Sequence, residues 1–581
     1  MSGRALLRLA ALAMALPAAA ALGQASPSAD TSAVRYDLMH REVGTISPDP
    51  DGAGPLPFLA TRKTYDVSGY LVRAESGTLA AWQSEAVAPA SWTGFAIVGQ
   101  VDTAYDSMGR KVREAVSGDN GATTGVTEFS YDLAGRPRCT AVRMNPDAWA
   151  TPLADKCVPG PAHAAFGPDR ITRTGYTVQG EPQTIERAVG TGLQQVYAAY
   201  TYSQNGKALS VTDANGNRAE MSYDGLDRQA RWTFPSKTTP GAANAADYEE
   251  YGYDANANRT SLRKRDGSTL TYQYDALGRV SAKIVPERTG LTAAQTRDVY
   301  YAYDNRGLQT KARFDSLAGE GVTNTYDGFG QLVSSSSDMG GTARAVGNQY
   351  DLDGNRIRII HPDTSFFTYD LDGLGRPIRI RENGGDPIVQ FSYDAAGRTA
   401  SRGYAALSTY GYDNAGRLQT LSHDLAGTAR DQALGFAYNP AAQIVSRTSS
   451  NDAYAWTGAA NVSRAYGVNG LNQYVTTAVG GVPNASFGYD ADGNLSSVTD
   501  PASTTSYVYD VENRLVSASG ASIAELVYDP LGRLSQVSSG GAGIRRLVYD
   551  GDALVAEYEP GGYMVHRYIH GNDGGDDPLI W

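Results

Sequence analysis

Apolar and polar residues alternate along most of this chain in short runs. Many of the runs end alike, as in Leu526-Val527-Tyr528 before Asp529. A period of two places successive side chains on opposite faces of a strand, so each run predicts a half-buried β-strand closing on a tyrosine whose ring lies on a packed face. The residues after the tyrosine are just as regular: YDLAGRP from Tyr131, YDALGRV from Tyr274, YDAAGRT from Tyr393, YDNAGRL from Tyr412 and YDPLGRL from Tyr528. The aspartate accepts hydrogen bonds from backbone N–H groups just beyond it and starts a turn. The glycine four places after Tyr supplies the positive φ that a hairpin loop of this length needs. Arginine and an aliphatic residue then open the return strand. The unit is a β-hairpin whose turn residues are Tyr274, Asp275, Gly278 and Arg279 in one copy. They are Tyr393, Asp394, Gly397 and Arg398 in a second, Tyr412, Asp413, Gly416 and Arg417 in a third, and Tyr528, Asp529, Gly532 and Arg533 in a fourth. Within such a turn the glycine is expected to be the more sensitive position, because asparagine in place of aspartate keeps an acceptor.

The pair Tyr-Asp occurs seventeen times in 581 residues. Random placement of 37 Tyr and 45 Asp would give about three. From Tyr202 to Tyr438 the repeats are spaced 19 to 30 residues apart, and after Tyr489 the spacing is 20, 19 and 21. Some nineteen residues suffice for two strands and two turns, and a lone hairpin is not stable in water. The repeats are therefore expected to cover one another in one continuous sheet, an all-β fold in which several independent globular domains have no place. Residues 26–200 hold few Tyr-Asp pairs and read as an irregular β-rich section, whereas 201–581 read as the regular array. A second irregular patch near 440–488 contains YGVNGLNQYV, which reads as a decayed repeat.

Composition agrees: 37 Tyr against 12 Phe and 6 Trp, together with 65 Gly, suits short strands joined by tight turns. Residues 1–25 carry Arg4 and Arg8, an apolar run from Leu9 to Leu22, and the small residues Gly23 and Ala25. This is the layout of a secretory signal peptide with cleavage before Ser26, and the run is too short to span a bilayer. The chain is thus expected to be exported, to the periplasm, cell surface or medium, with no transmembrane segment once the signal is removed. Its net charge of −12 speaks against nucleic acid as a partner. In an oxidising compartment Cys139 and Cys157, the only cysteines, are expected to form a structural disulfide.

The candidate chemistry is thin. Asp351 with Asp353, and Asp490 with Asp492, are paired carboxylates, but both pairs sit inside repeat turns and nothing places them across a cleft. The same segments resemble calcium loops without the closing Glu. His566 and His570 have i, i+4 spacing in a stretch that reads as strand. Neither a Gly-x-Ser-x-Gly elbow nor a phosphate-binding glycine loop is present. No catalytic residue, metal ligand or cofactor is assigned, and Asp529-Pro530 is read as a turn in register with the others.

These units, together with YDVENRLVSASG, YDGDALVAEY and the tail RYIHGNDGGDDPLIW, resemble the Rhs/YD-repeat family of bacterial proteins, which is related to animal teneurins. The resemblance covers nearly all of the chain after residue 25. It implies a sheet strip spiralling into a hollow shell that, in complete members, encloses a C-terminal toxin, in intercellular competition or insecticidal toxin complexes. Carbohydrate binding is also attributed to such repeats. Complete members continue into an Asp-Pro-x-Gly self-cleaving segment and a toxin. Neither has a counterpart before Trp581, so the expectation is a shell, open or incomplete, for a toxin-like polypeptide. The alternative is a surface adhesin binding a cell-surface glycan.

Overall fold

The computed structural model describes residues 30–52, 54–404, 406–458, 461–541, 543–571 and 578–580. The signal peptide assigned to residues 1–25 lies outside them. Among the described residues there are 45 strands and no α-helix. Thirty-two strands, from Ala33–Tyr36 to Ile444–Ser449, form one sheet, eleven from Arg464–Val468 to Met564–Arg567 form a second, and Ile569–His570 pairs with Pro578–Ile580. Within each large sheet every strand pairs antiparallel with its neighbours in sequence, a plain meander. The expected single sheet is therefore broken between Ser449 and Arg464, inside the patch the repeat pattern marks as irregular, and again before the short pair at Ile569. The decayed repeat there is still a hairpin. Asn469 accepts from the backbone N–H of Leu471 and Gln473 as Asp does elsewhere, and Asn472 takes the positive φ.

The Tyr-Asp turns share one distortion. The strand register shifts by one residue just before the tyrosine, as between Gln273 and Tyr274 or Val527 and Tyr528; the exception is Tyr369-Asp370, which lies within strand Phe366–Leu371, with the shift before Leu371 and the turn at Asp372. This is the bulge that accompanies a tight loop whose last residue is left-handed. Gly278, Gly397, Gly416 and Gly532 have φ of 73°, 78°, 78° and 85°.

The strip coils on itself. The Tyr-Asp turns of later strands seat on the opposite, loop-bearing edge of earlier ones. Gly373 N–H donates to Pro50 O, 323 residues back, and a Cβ on Gly373 would meet Asp49 O at 2.0 Å. Farther along, Asn472 Nδ2 donates to Asp213 Oδ2 across 259 residues, Asp266 N–H to Asp492 Oδ1 across 226, and Tyr369 Oη to His570 O across 201. The shrinking separation means that each revolution takes fewer residues, so the coil narrows toward the C-terminus. At that end lies the largest core, including Val346, Phe367, Ile380, Val389, Val555 and Ile569. Elsewhere the sheet is a thin wall. The chain exposes 32407 Å², whereas a compact globule of its mass would expose about 20,000 Å².

Two neighbouring turns allow a test of the glycine's role. Ala257 occupies the turn after Tyr253 with φ 65°, where Gly278 has 73° one repeat later. A Cβ on Gly278 would make only ordinary contact, 3.5 Å from Asn258 Oδ1. Ala257→Gly is expected to stabilise the array by about 1 kcal/mol and Gly278→Ala to cost about the same, since the left-handed penalty outweighs glycine's chain entropy. Paired urea titrations measure both.

Candidate functional site: the repeat turn, the seam and the narrow end

In the turn after Tyr274, Asp275 Oδ1 accepts from the backbone N–H of Leu277 (2.9 Å) and Arg279 (3.0 Å), while Oδ2 accepts from Arg279 Nε (2.6 Å) and pairs with Nη2 (2.6 Å). Arg398 on Asp394, Arg417 on Asp413 and Arg533 on Asp529 repeat the arrangement, each with Nε to Oδ2 at 2.8 Å. The arginine is thus more than the first residue of the return strand. Pinned by its aspartate, its guanidinium lies over the tyrosine ring of the following repeat: Arg279 over Tyr303 at 4.6 Å, Arg398 over Tyr412 at 4.4 Å, Arg417 over Tyr438 at 4.6 Å and Arg533 over Tyr549 at 5.2 Å. That tyrosine's hydroxyl donates to the carbonyl just after the arginine, Tyr303 to Val280 O at 2.9 Å and Tyr412 to Thr399 O at 2.8 Å. Tyr274, Tyr393 and Tyr528 bond Arg259 O, Pro377 O and Leu515 O of the preceding repeat in the same way.

The electrostatics suit a permanent clasp. The Arg279 side chain and then its backbone N–H hold the Asp275 carboxyl below the usual carboxylate range, and Arg110 does the same for Asp106. At Asp413 burial pushes upward, but the bonds from Arg417 outweigh it and the carboxyl again sits low. Burial raises the Tyr393 hydroxyl to about 12, so it stays a donor at ordinary pH. In the complete turn both carboxylate oxygens accept from donors fixed within the same turn.

The four turns singled out by sequence occupy two environments. That of Tyr274 lies on the open edge of the first coil. The other three lie along the seam between coils, where Gly397 approaches Leu59, Asn414 O accepts from Asp119 N–H at 3.0 Å, and Pro530 faces Gly321. Cys139 and Cys157 are joined, with Cα atoms 5.4 Å apart, in a small core with Ala141, Ile171 and Val189. Beside them Arg143 is buried between Glu128 and Asp169, at 2.7 Å from each. Asp351 serves its own turn, accepting from Asp353 N–H and Asn355 N–H. Asp492 does not: it is buried in the seam, where it accepts from Asp266 N–H, and burial raises its carboxyl. No group of three or more His, Cys, Asp or Glu among the described residues is arranged to hold a metal ion.

Sequence reasoning did not find His361. It is 2% exposed, lies edge-on to Phe367 at 5.2 Å, and has no hydrogen-bond partner at either ring nitrogen among the described residues. It lines a cavity of about 40 Å³ with Arg356, Tyr369, Asp550 and His570, and Arg356 pairs with Asp550 there. Burial, then the nearby Arg567, pulls His361 down to about 4. No short motif surrounds it, and only the coiling brings residues near 360 and 550–570 together.

A family model described as RHS Repeat matches residues 489–522. In sequence the chain is 27% identical over 373 residues to Double-stranded DNA deaminase toxin A of Burkholderia cenocepacia (strain H111), a match covering 59% of this chain and 25% of the relative. In fold it is similar to the crystal structure of TcdB2-TccC3-Cdc42, with TM-score 0.56, 14% identity, and 93% of this chain on 31% of that one. TcdB2-TccC3-TEV gives a TM-score of 0.53, 12% identity, and 91% on 31%. The Photorhabdus luminescens Tc holotoxin pore gives 0.49 at 14% identity, with 90% on 29%. The chain thus spans between a quarter and a third of the length of these relatives.

The clasp and the buried histidine can each be tested. Asp529 is buried and holds both its turn and Arg533. Asp529→Asn should cost about 2 kcal/mol, through the lost charge-assisted bonds, and Gly532→Ala about 1 kcal/mol, read by local hydrogen exchange in the flanking strands. His361 is held neutral in the fold while the unfolded chain takes up a proton below its ordinary value of 6.5. Stability of the narrow end is therefore full above pH 6.5 and falls as pH drops toward 4, by on the order of 2 kcal/mol at pH 5. Exchange rates in strands Phe366–Leu371 and Ala553–Tyr558 should rise over that window in the native chain and stay nearly level in His361→Leu.

Proposed function

We propose, from the Tyr-Asp repeats, the RHS Repeat match at residues 489–522 and the similarity in fold to TcdB2-TccC3-Cdc42, that the chain is the exported, non-enzymatic shell part of a toxin-delivery or intercellular competition protein. The observation that carries this reading is the narrowing coil, a wall one sheet thick exposing 32407 Å² with its largest core at one end. Such a wall has two solvated faces and is suited to surrounding another polypeptide. The turn chemistry agrees, since its carboxylates serve neighbouring repeats. The signal peptide at residues 1–25 directs export in this reading, the section 26–200 with its disulfide forms the wide start of the coil, and 201–581 the repeat array. No helix among the described residues is long and apolar enough to cross a membrane.

The curated relative's name specifies deamination of double-stranded DNA, and this chain matches a quarter of it. With a net charge of −12 the chain is poorly suited to binding phosphates, and the reading gives nucleic acid no role here. The partner is a toxin-like polypeptide held inside the coil. The test is to produce residues 26–581 together with a toxin-like segment from the same locus and to add protease. The segment should be digested at least tenfold more slowly with the shell than without it. Equal rates would overturn encapsulation and leave a carbohydrate-binding surface adhesin, which a glycan array would then examine.

A further inference from the structure

The Tyr-Asp turn edge is treated in two ways along the coil. From Asp372 onward the turns are covered by the loop edge of the preceding revolution. Val511, in the turn after Tyr509, is wholly buried with Leu270 and Val285, and Gly373 lies on Pro50. On the first revolution, from the turn at Asp37 to that at Asp351, nothing among the described residues covers the same edge. Nine of its turns hold an apolar side chain outward at 70% exposure or more, among them Leu38, Leu133, Leu277, Phe329 and Leu352. An isolated exposed leucine needs no explanation, but a file of them along one rim, continuous with a seam where the equivalent position is core, marks an interaction surface.

At five of these turns the charge is also closed off: the aspartates at 37, 106, 132, 224 and 275 are each neutralised within the turn by Arg41, Arg110, Arg136, Arg228 and Arg279, so their apolar tips sit beside closed ion pairs. The loop side of the last revolution, from residue 403 to 562, is likewise uncovered among the described residues. The rim offers a second copy an edge of its own length and character. Nine tips burying roughly 100 Å² each would approach the 800 Å² per partner of a stable interface.

We propose that two copies of this chain associate through this rim, wide end to wide end, about a two-fold axis. A self-complementary patch used twice is the commonest arrangement of homodimers. Association of this kind needs the rim alone and is independent of any cargo.

The experiment is light scattering after size exclusion, and sedimentation velocity, on residues 26–581 across a concentration series to about 100 μM. The expected result is twice the chain mass at the upper end. Leu133→Asp with Leu277→Asp should leave circular dichroism and melting unchanged, because both tips are exposed, and should raise the dissociation constant at least tenfold. Phe329→Ser, which adds no charge, should weaken the dimer by a smaller factor. Ile523→Asp, on the opposite edge, should leave it intact. A monomer at every concentration, or a dimer that survives the rim substitutions and is lost with Ile523→Asp, would overturn the proposal.

Discussion

Where its turn motif is complete, this protein lends an arginine from each turn to the next repeat, and it can do so only because an aspartate four residues earlier holds the guanidinium still. A free arginine would lose much of the gain from stacking to the entropy of being ordered. Here Asp275 has already ordered Arg279 through two nitrogen contacts, and the plane is presented to Tyr303 at little further cost. A cation–π contact is worth about 0.5–1 kcal/mol at a partly exposed site, and the accompanying Tyr303 to Val280 hydrogen bond about 1 kcal/mol. Neither is large, but a hairpin has almost no independent stability, so the coupling to its neighbours decides whether it folds at all.

The coupling also explains how a wall one sheet thick persists without a continuous core. Most strand residues are partly exposed, and fully buried apolar side chains gather in separate small groups: around the disulfide, near Trp92, at Leu270 with Val511, and at the narrow end. Between these groups the wall depends on its ladders and clasps. Where the arginine is absent, other devices appear. Asn258 and Asn494 bond their aspartates and stop short of the next tyrosine, while Arg306 reaches from two residues after Asp304 to Asp327 O. The clasp is therefore a tendency of the array, strongest where YD-x-x-GR is complete.

How much could be read in the sequence depends on the range of the interactions. The strand, the turn and the left-handed glycine are decided within six residues, and the motif from Tyr528 to Arg533 displays them openly. The arginine's second partner lies 14 to 40 residues on, at Tyr412 for Arg398 and Tyr176 for Arg136. Variable strand and loop lengths hide that pairing in the sequence, although both members are in every motif. The break before Arg464 could be suspected from the decayed repeat near 440–488. The seam could not. It joins Asp213 to Asn472 and Tyr369 to His570 through the accumulated twist of some ten or more hairpins, and no local pattern records such a sum. His361 belongs to this class, an ordinary residue until the coil closes over it.

The narrowing of the coil ties these levels together. A strip of constant pitch would stack revolution on revolution and leave both ends alike. This one takes fewer residues per revolution, so one end is wide and the other draws in far enough for side chains to meet across it. At the drawn-in end Arg567 reaches Asp363 and Glu382, and the core around Phe367 and Val555 forms. The wide end has nothing equivalent among the described residues, and its turn tips remain in solvent. The two ends therefore obey different physical rules. The closed end is held by buried contacts that include a histidine with no partner for its proton, so its stability varies with pH. The open end is a row of apolar tips, five of them beside satisfied ion pairs, so what it does depends on the surface it meets.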